Sequence, residues 1–161
     1  MQPYQEEYIV NLKSLSALTL HNRQRSQTFE EYLENLSQNQ QKTEQIVKRN
    51  MELLREKLFP ILDHIFDASK EELQDLQEFA EKLSNGKEEL DNGLFYQIHK
   101  ALLCFSRLTK DRIGMIRELY WQGMNYYYIY KKLLGLDSEE TKTYSSQMRL
   151  CFAEAAAYLK Y

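Results

Sequence analysis

Turn chemistry is scarce in this chain. Five glycines and two prolines punctuate 161 residues, and neither type occurs between Pro3 and Pro60. Glycine supplies the positive-φ positions of tight turns, and proline supplies pre-set turn corners. A sequence with so few of either folds most readily into long helices joined by short links. Hydrophobic residues make up 43% of the chain, enough for one domain of this length to bury a core. The net charge of −3 lacks the basic excess of an electrostatic nucleic-acid binder, so none is expected as a partner. No apolar run approaches the ~20 residues of a membrane span. The acidic, polar start MQPYQEEY is neither a signal peptide nor an Arg-rich transit peptide.

Hydrophobic spacing predicts six helical segments. The first runs from Tyr4 to Leu20, with Tyr8, Leu12, Leu15 and Leu18 recurring at three- and four-residue steps. Thr28 caps the second, with Glu31 completing a capping box, and this segment extends toward Phe66. Its stripe of Phe29, Tyr32, Leu33 and Leu36 fades through SQNQQKTEQ, which has no Gly or Pro and so fits a continuous, locally exposed helix at least as well as a loop. The stripe resumes at Ile46 and Val47, and Pro60 is expected to kink the helix or end its regular part. Ser69, with Glu72, caps the third, which Asn85-Gly86 stops. The fourth spans about Asp91 to Leu108 and the fifth about Asp111 to Leu134. The sixth is capped by Asp137, with Glu140 three residues on, and is expected to bury Tyr144, Met148, Phe152, Ala155 and Leu159. The predicted class is all-α, with antiparallel helical hairpins in one domain over 1–161. Residues 1–45 are expected to be a looser helical segment and 46–161 the core. Cys104 and Cys151 sit in apolar runs and read as buried core thiols of a reducing, cytoplasmic compartment.

The fifth segment carries five tyrosines and the sole tryptophan within ELYWQGMNYYYIYKKL. On a helical wheel, Gly114, Glu118, Gln122, Asn125 and Lys132 form a polar arc of roughly 80°, broken by Ile129. The remainder is apolar, which predicts an inner helix covered on several sides, with its polar arc toward solvent. Gly123 would cost a helix interior ~1 kcal/mol against alanine, so a close helix approach is expected there. The face with Arg117, Tyr120, Met124, Tyr127 and Tyr128 is the predicted partner-binding surface. Tyrosine and methionine give large contact area, and Arg117 with Lys131 would attract an acidic segment. The competing expectation is that a neighbouring helix fills this face.

No catalytic constellation is visible. His21, His64 and His99 show neither Glu-x-x-His nor His-Glu-x-x-His spacing. Asp63, His64 and Asp67 read as a solvated last turn. Gly86-Lys87 lacks the upstream glycine of a phosphate loop. The carboxylate pairs Glu30-Glu31, Glu71-Glu72, Glu88-Glu89 and Glu139-Glu140 complement helix starts or lie in loops. No metal ligand set and no cofactor are expected.

The spacing Leu119-x3-Gly123-x2-Tyr126 resembles the first helix of a tetratricopeptide repeat, and Met148-x3-Phe152-x2-Ala155 its second. Gln122 and Met148 depart from that pattern, and the two halves lie further apart than a 34-residue unit permits, so longer helical hairpins packed in the same manner are expected. Taken together, RNMELLREKLFPILDHIFDAS, LQEFAEKLSNGKEELDNGLFYQIHKALL, KDRIGMIRELYWQGMNYYYIYKKLLGL and SSQMRLCFAEAAAYLKY resemble one group more specifically. They are similar to the amino-terminal helical region of Firmicutes signalling proteins whose output domain is commonly a GGDEF diguanylate cyclase. The resemblance covers about residues 46–161. It implies a non-catalytic sensor or interaction module acting on an output domain absent from this chain, which has no GGDEF-like sequence. The ending YLKY, within a helical turn, leads us to expect a piece of a longer protein. The partner implied is a protein, a peptide or the output domain itself, and a homodimer stays open. The alternative is a small-ligand sensor with a cavity among the aromatic residues of the fourth to sixth segments.

Overall fold

The computed structural model describes residues 1–21, 28–84, 91–135 and 138–160, and these are helical almost throughout, with no strand among them. The fold is all-α, with about six long helices. It divides into two compact units, Met1–Asp63 and His64–Tyr161. The sequence suggested one domain with a looser stretch up to residue 45. The observed division falls instead after Asp63, just past the irregular turns that Pro60 introduces.

The first unit is a helical hairpin of α1 (Pro3–His21) and α2 (Phe29–Leu53). Thr28 Oγ1 accepts the Glu31 amide at 3.2 Å while the Glu31 carboxylate accepts the Thr28 amide, the reciprocal box that the sequence predicts. The polar stretch SQNQQKTEQ is unbroken helix. The two helices run antiparallel. Glu7 receives two bonds from Arg49 at 3.1 Å, and Asn11 Nδ2 donates to Asn50 Oδ1 at 2.8 Å. Tyr8, Ile9, Leu53, Leu54 and Leu58 are buried, whereas Phe29, Leu33, Leu36 and Val47 stay exposed. Leu54–Leu58 forms a π-helical turn in which the Phe59 amide reaches Leu54 O. Pro60 follows at the second position of the short α3 (Phe59–Asp63). The widened turn draws aside the carbonyl that a proline ring would strike in a regular helix.

The second unit begins with the 3-10 turn Ile65–Asp67. It continues through α4 (Lys70–Leu83), α5 (Asn92–Leu108), α6 (Arg112–Lys132) and α7 (Glu139–Leu159). Ser69 and Glu72 form a second capping box, and Asp91 and Asp111 cap α5 and α6. Ser138 caps α7 by accepting the Thr141 amide. Asp137, expected in that role, lies outside the described residues, as does the Asn85-Gly86 stop. Arg112 Nε donates to Tyr158 O at 2.6 Å, joining the start of α6 to the end of α7, and Arg107 pairs with Glu154. Phe79, Phe95, Ile98, Leu76 and Leu119 are the fully buried centre. A second cluster joins Leu103, Met115, Leu119 and Ala155, with Tyr158 packed against it.

Gly123 is where α6 and α7 close up. A Cβ built there would stand 2.7 Å from Phe152 Cε1, so the glycine makes room for the ring. Gly135, at φ +91°, takes the left-handed position just past α6, which favours glycine. Two burial expectations fail on the outer faces. Leu159 is exposed in the last turn of α7, where only part of the helix meets α6, and Tyr144, Met148 and Phe152 are half-buried. Cys151 is buried, but Cys104 is exposed on the outside of α5.

Candidate functional site

Most of the polar arc of α6 turns inward, contrary to its expected place in solvent, and only Lys132 at its end is exposed. Glu118 and Asn125, seven residues apart and so on one face, are each only 1% exposed. The reason is that α4 and α5 offer them partners. The Glu118 carboxylate accepts from His99 Nδ1 in the interior and from Gln77 Nε2 at 3.5 Å. Arg117 Nη1 donates to Gln77 Oε1 at 3.2 Å. A chain of polar groups thus leads from exposed Arg117 through Gln77 and Glu118 to buried His99. Phe95 lies against the His99 ring at a centroid distance of 4.3 Å, and His99 Nε2 has no hydrogen-bond partner.

One helical stride further on, Ser84 Oγ donates to Asn125 Oδ1 at 2.5 Å. Asn125 Nδ2 is buried with no partner, and so is the Tyr96 hydroxyl. The phenol lies close enough to Asn125 to feel its dipole, but the two do not meet in hydrogen-bonding geometry. Burial raises the Tyr96 pKa well above the ordinary phenol value, and the nearby Tyr126 and Tyr144 phenols add to the shift. Tyr126 is raised as well, first by burial and then by Cys151. The Tyr126 ring stacks between Tyr96 at 4.8 Å and Tyr144 at 6.1 Å.

Beside this polar pair is a cavity of about 260 Å³. Ser84, Phe95, Trp121, Met124, Asn125 and Tyr128 line it, with the exposed Glu81 as the remaining member.

The five predicted site residues therefore separate. Arg117 is exposed, as are Tyr120 at 49% and Tyr127 at 37%. They form an outer stripe with the exposed Ile113 and Lys131, at steps of three, four and seven residues along α6, and the exposed Leu134 follows just past its end. Met124 and Tyr128 are half-buried and line the cavity. Tyr128 meets Tyr127 edge-on at 5.6 Å, so the two groups adjoin. Comparison with known protein families, curated proteins and solved structures returns no match. The local geometry therefore carries the functional reading. Ser84, His99, Glu118 and Asn125 were missed as a group, and the one sequence signal for them was the seven-residue repeat of polar positions on a helix otherwise apolar. Among the described residues no three His, Cys, Asp or Glu side chains converge as a metal site requires, and no helix is long and apolar enough to cross a membrane.

Proposed function

We propose that this chain is a non-catalytic helical regulatory module, and that the outer stripe of α6 docks a segment of a signalling output domain. The exposure of Tyr120 and Tyr127 on a helix whose other faces are packed carries this reading. Solvent-facing aromatics at helical spacing present large contact area at low entropic cost. Arg117 and Lys131 flank them, which favours an amphipathic helix bearing acidic residues. The resemblance to helical regions that precede diguanylate cyclases agrees with this role, as does a cytoplasmic location. Longer hairpins packed in the tetratricopeptide manner would present this same face to the partner.

The test is the reading frame that continues past Tyr161 in the native gene. An output domain there, whose activity changes when Tyr120 and Tyr127 are both replaced by alanine in the full-length polypeptide, supports the proposal. An output domain indifferent to that double change, or no such domain at all, overturns it. The second reading, a small-ligand sensor, is favoured by a separate observation, the presence of Met124 and Tyr128 on the cavity wall beside an unpartnered amide.

A further inference from the structure

We propose that the cavity between α4, α5 and α6 binds a small organic monocation, an ammonium compound that also carries a hydroxyl or carbonyl oxygen. Volume sets the size. At about 260 Å³ the cavity lies just below the range of drug-sized sites, and a water molecule's share of liquid is ~30 Å³, so the occupant has about ten non-hydrogen atoms.

Charge sets the sign. Among the described residues that line the cavity, Glu81 is the only charged side chain, and it is a carboxylate. An anion placed there would face this carboxylate with no cation to balance it. Phosphates, nucleotides and carboxylic acids are therefore disfavoured. Phe95, Trp121 and Tyr128 supply aromatic rings, whose faces attract ammonium groups, and Met124 adds a polarizable thioether.

Hydrogen-bonding capacity supplies the second group. Asn125 is 1% exposed, its Oδ1 is taken by Ser84, and its Nδ2 is a buried donor without a partner. Such a donor is costly to leave unmet, and an oxygen of the ligand would meet it. Ser84 Oγ, having given its proton to Asn125, keeps lone pairs for a donor on the same ligand group. A hydroxyl satisfies both at once. The resulting occupant has its ammonium toward Glu81, its apolar body among the rings and its oxygen at Asn125. This site uses different residues from the outer stripe, so either proposal can fail without the other.

The experiment is a calorimetric titration of the whole chain with tyramine, paralleled by the emission of Trp121, the chain's sole tryptophan and part of the cavity wall. The expected result is saturable one-to-one binding that perturbs Trp121. It should be weakened at least about tenfold in Glu81→Gln, an exposed change that leaves the core untouched. Asn125→Leu is close in shape and adds no charge but removes the amide donor, and should weaken tyramine more than 2-phenylethylamine, which lacks the hydroxyl. The control is 4-hydroxyphenylacetate, which replaces the ammonium by a carboxylate on the same ring. Equal binding of the acid, or unchanged tyramine affinity in Glu81→Gln, overturns the proposal. It is also overturned if tyramine, 2-phenylethylamine and choline all fail to bind saturably up to about 5 mM, where even weak specific sites register.

Discussion

Glu7 and Arg49 meet across the first hairpin as a two-bond ion pair with close to half of each side chain in solvent. Glu118 and His99 meet in the second unit with 1% of each side chain exposed. Both contacts join distant helices and fix their relative register. They differ in what remains when one member is lost. A carboxylate or guanidinium left alone on the surface of the hairpin finds water. Between α4, α5 and α6 a carboxylate left alone keeps only the long contact to Gln77, and an imidazole left alone lies against the Phe95 ring, so either bears most of its desolvation cost. The same kind of contact is therefore cheap to break in one unit and expensive in the other.

Glu118→Ala is the largest test of that difference. It strands His99 and should cost about 3–5 kcal/mol in urea denaturation at neutral pH, whereas Glu7→Ala should leave stability nearly unchanged. Equal losses would show that burial does not separate the two units. Next in size is Gly123→Leu, which drives a side chain into the Phe152 ring and should destabilise by about 1–3 kcal/mol despite better helix propensity. Adding Phe152→Leu should recover part of that loss, because the two sites share one volume.

Tyr96→Phe sharpens the comparison through pH. The hydroxyl makes no hydrogen bond, so at neutral pH the variant should stay within ~1 kcal/mol of the parent. Burial raises the folded-state pKa, so the folded protein keeps its phenolic proton at pH values where the unfolded chain releases it. The unfolded state then binds fewer protons, and stability falls as pH climbs past the ordinary phenol value of about 10. The phenylalanine variant should lose less stability over that interval, measured by denaturation on either side of it. A parallel decline in both proteins would place Tyr96 in water. The smallest effect belongs to the first unit. Glu7→Gln removes the charge from a pair in which about half of each side chain is exposed and should leave the unfolding midpoint unmoved within error, as should added salt.

The helices were legible in the sequence because caps and periodicity are local. Thr28 with Glu31 and Ser69 with Glu72 are four-residue signals that need no tertiary context, and both are formed. The room needed at Gly123 was legible for a related reason, since a glycine in a good helix implies a neighbour. The orientation of α6 was not legible. A wheel ranks side chains by polarity and sends Glu118 and Asn125 outward, whereas their partners His99 and Ser84 come from α5 and from the end of α4, 19 and 41 residues away. Nothing local marks those pairings. The tyrosines misled in the opposite direction. They counted as apolar, yet a phenol can rest its ring on a helix and keep its hydroxyl in water, as Tyr120 and Tyr127 can at the surface. The five residues of the candidate surface consequently do not share one face. Arg117, Tyr120 and Tyr127 share an exposed face, and Met124 and Tyr128 turn to the cavity.

The wide turn at Leu54–Leu58 has a genetic corollary. A π turn is an α-helix carrying one surplus residue, so a single-codon deletion there could leave a continuous helical backbone. Because the wide turn already absorbs the extra residue, removing it would restore a regular turn and leave the flanking segments in nearly the same register. It would also return the Glu56 carbonyl to the path of the Pro60 ring, four residues on. The surplus residue and the proline thus behave as a linked pair of changes. A relative that lacks the proline is free to lose the extra residue, and one that keeps Pro60 is expected to keep the extra length.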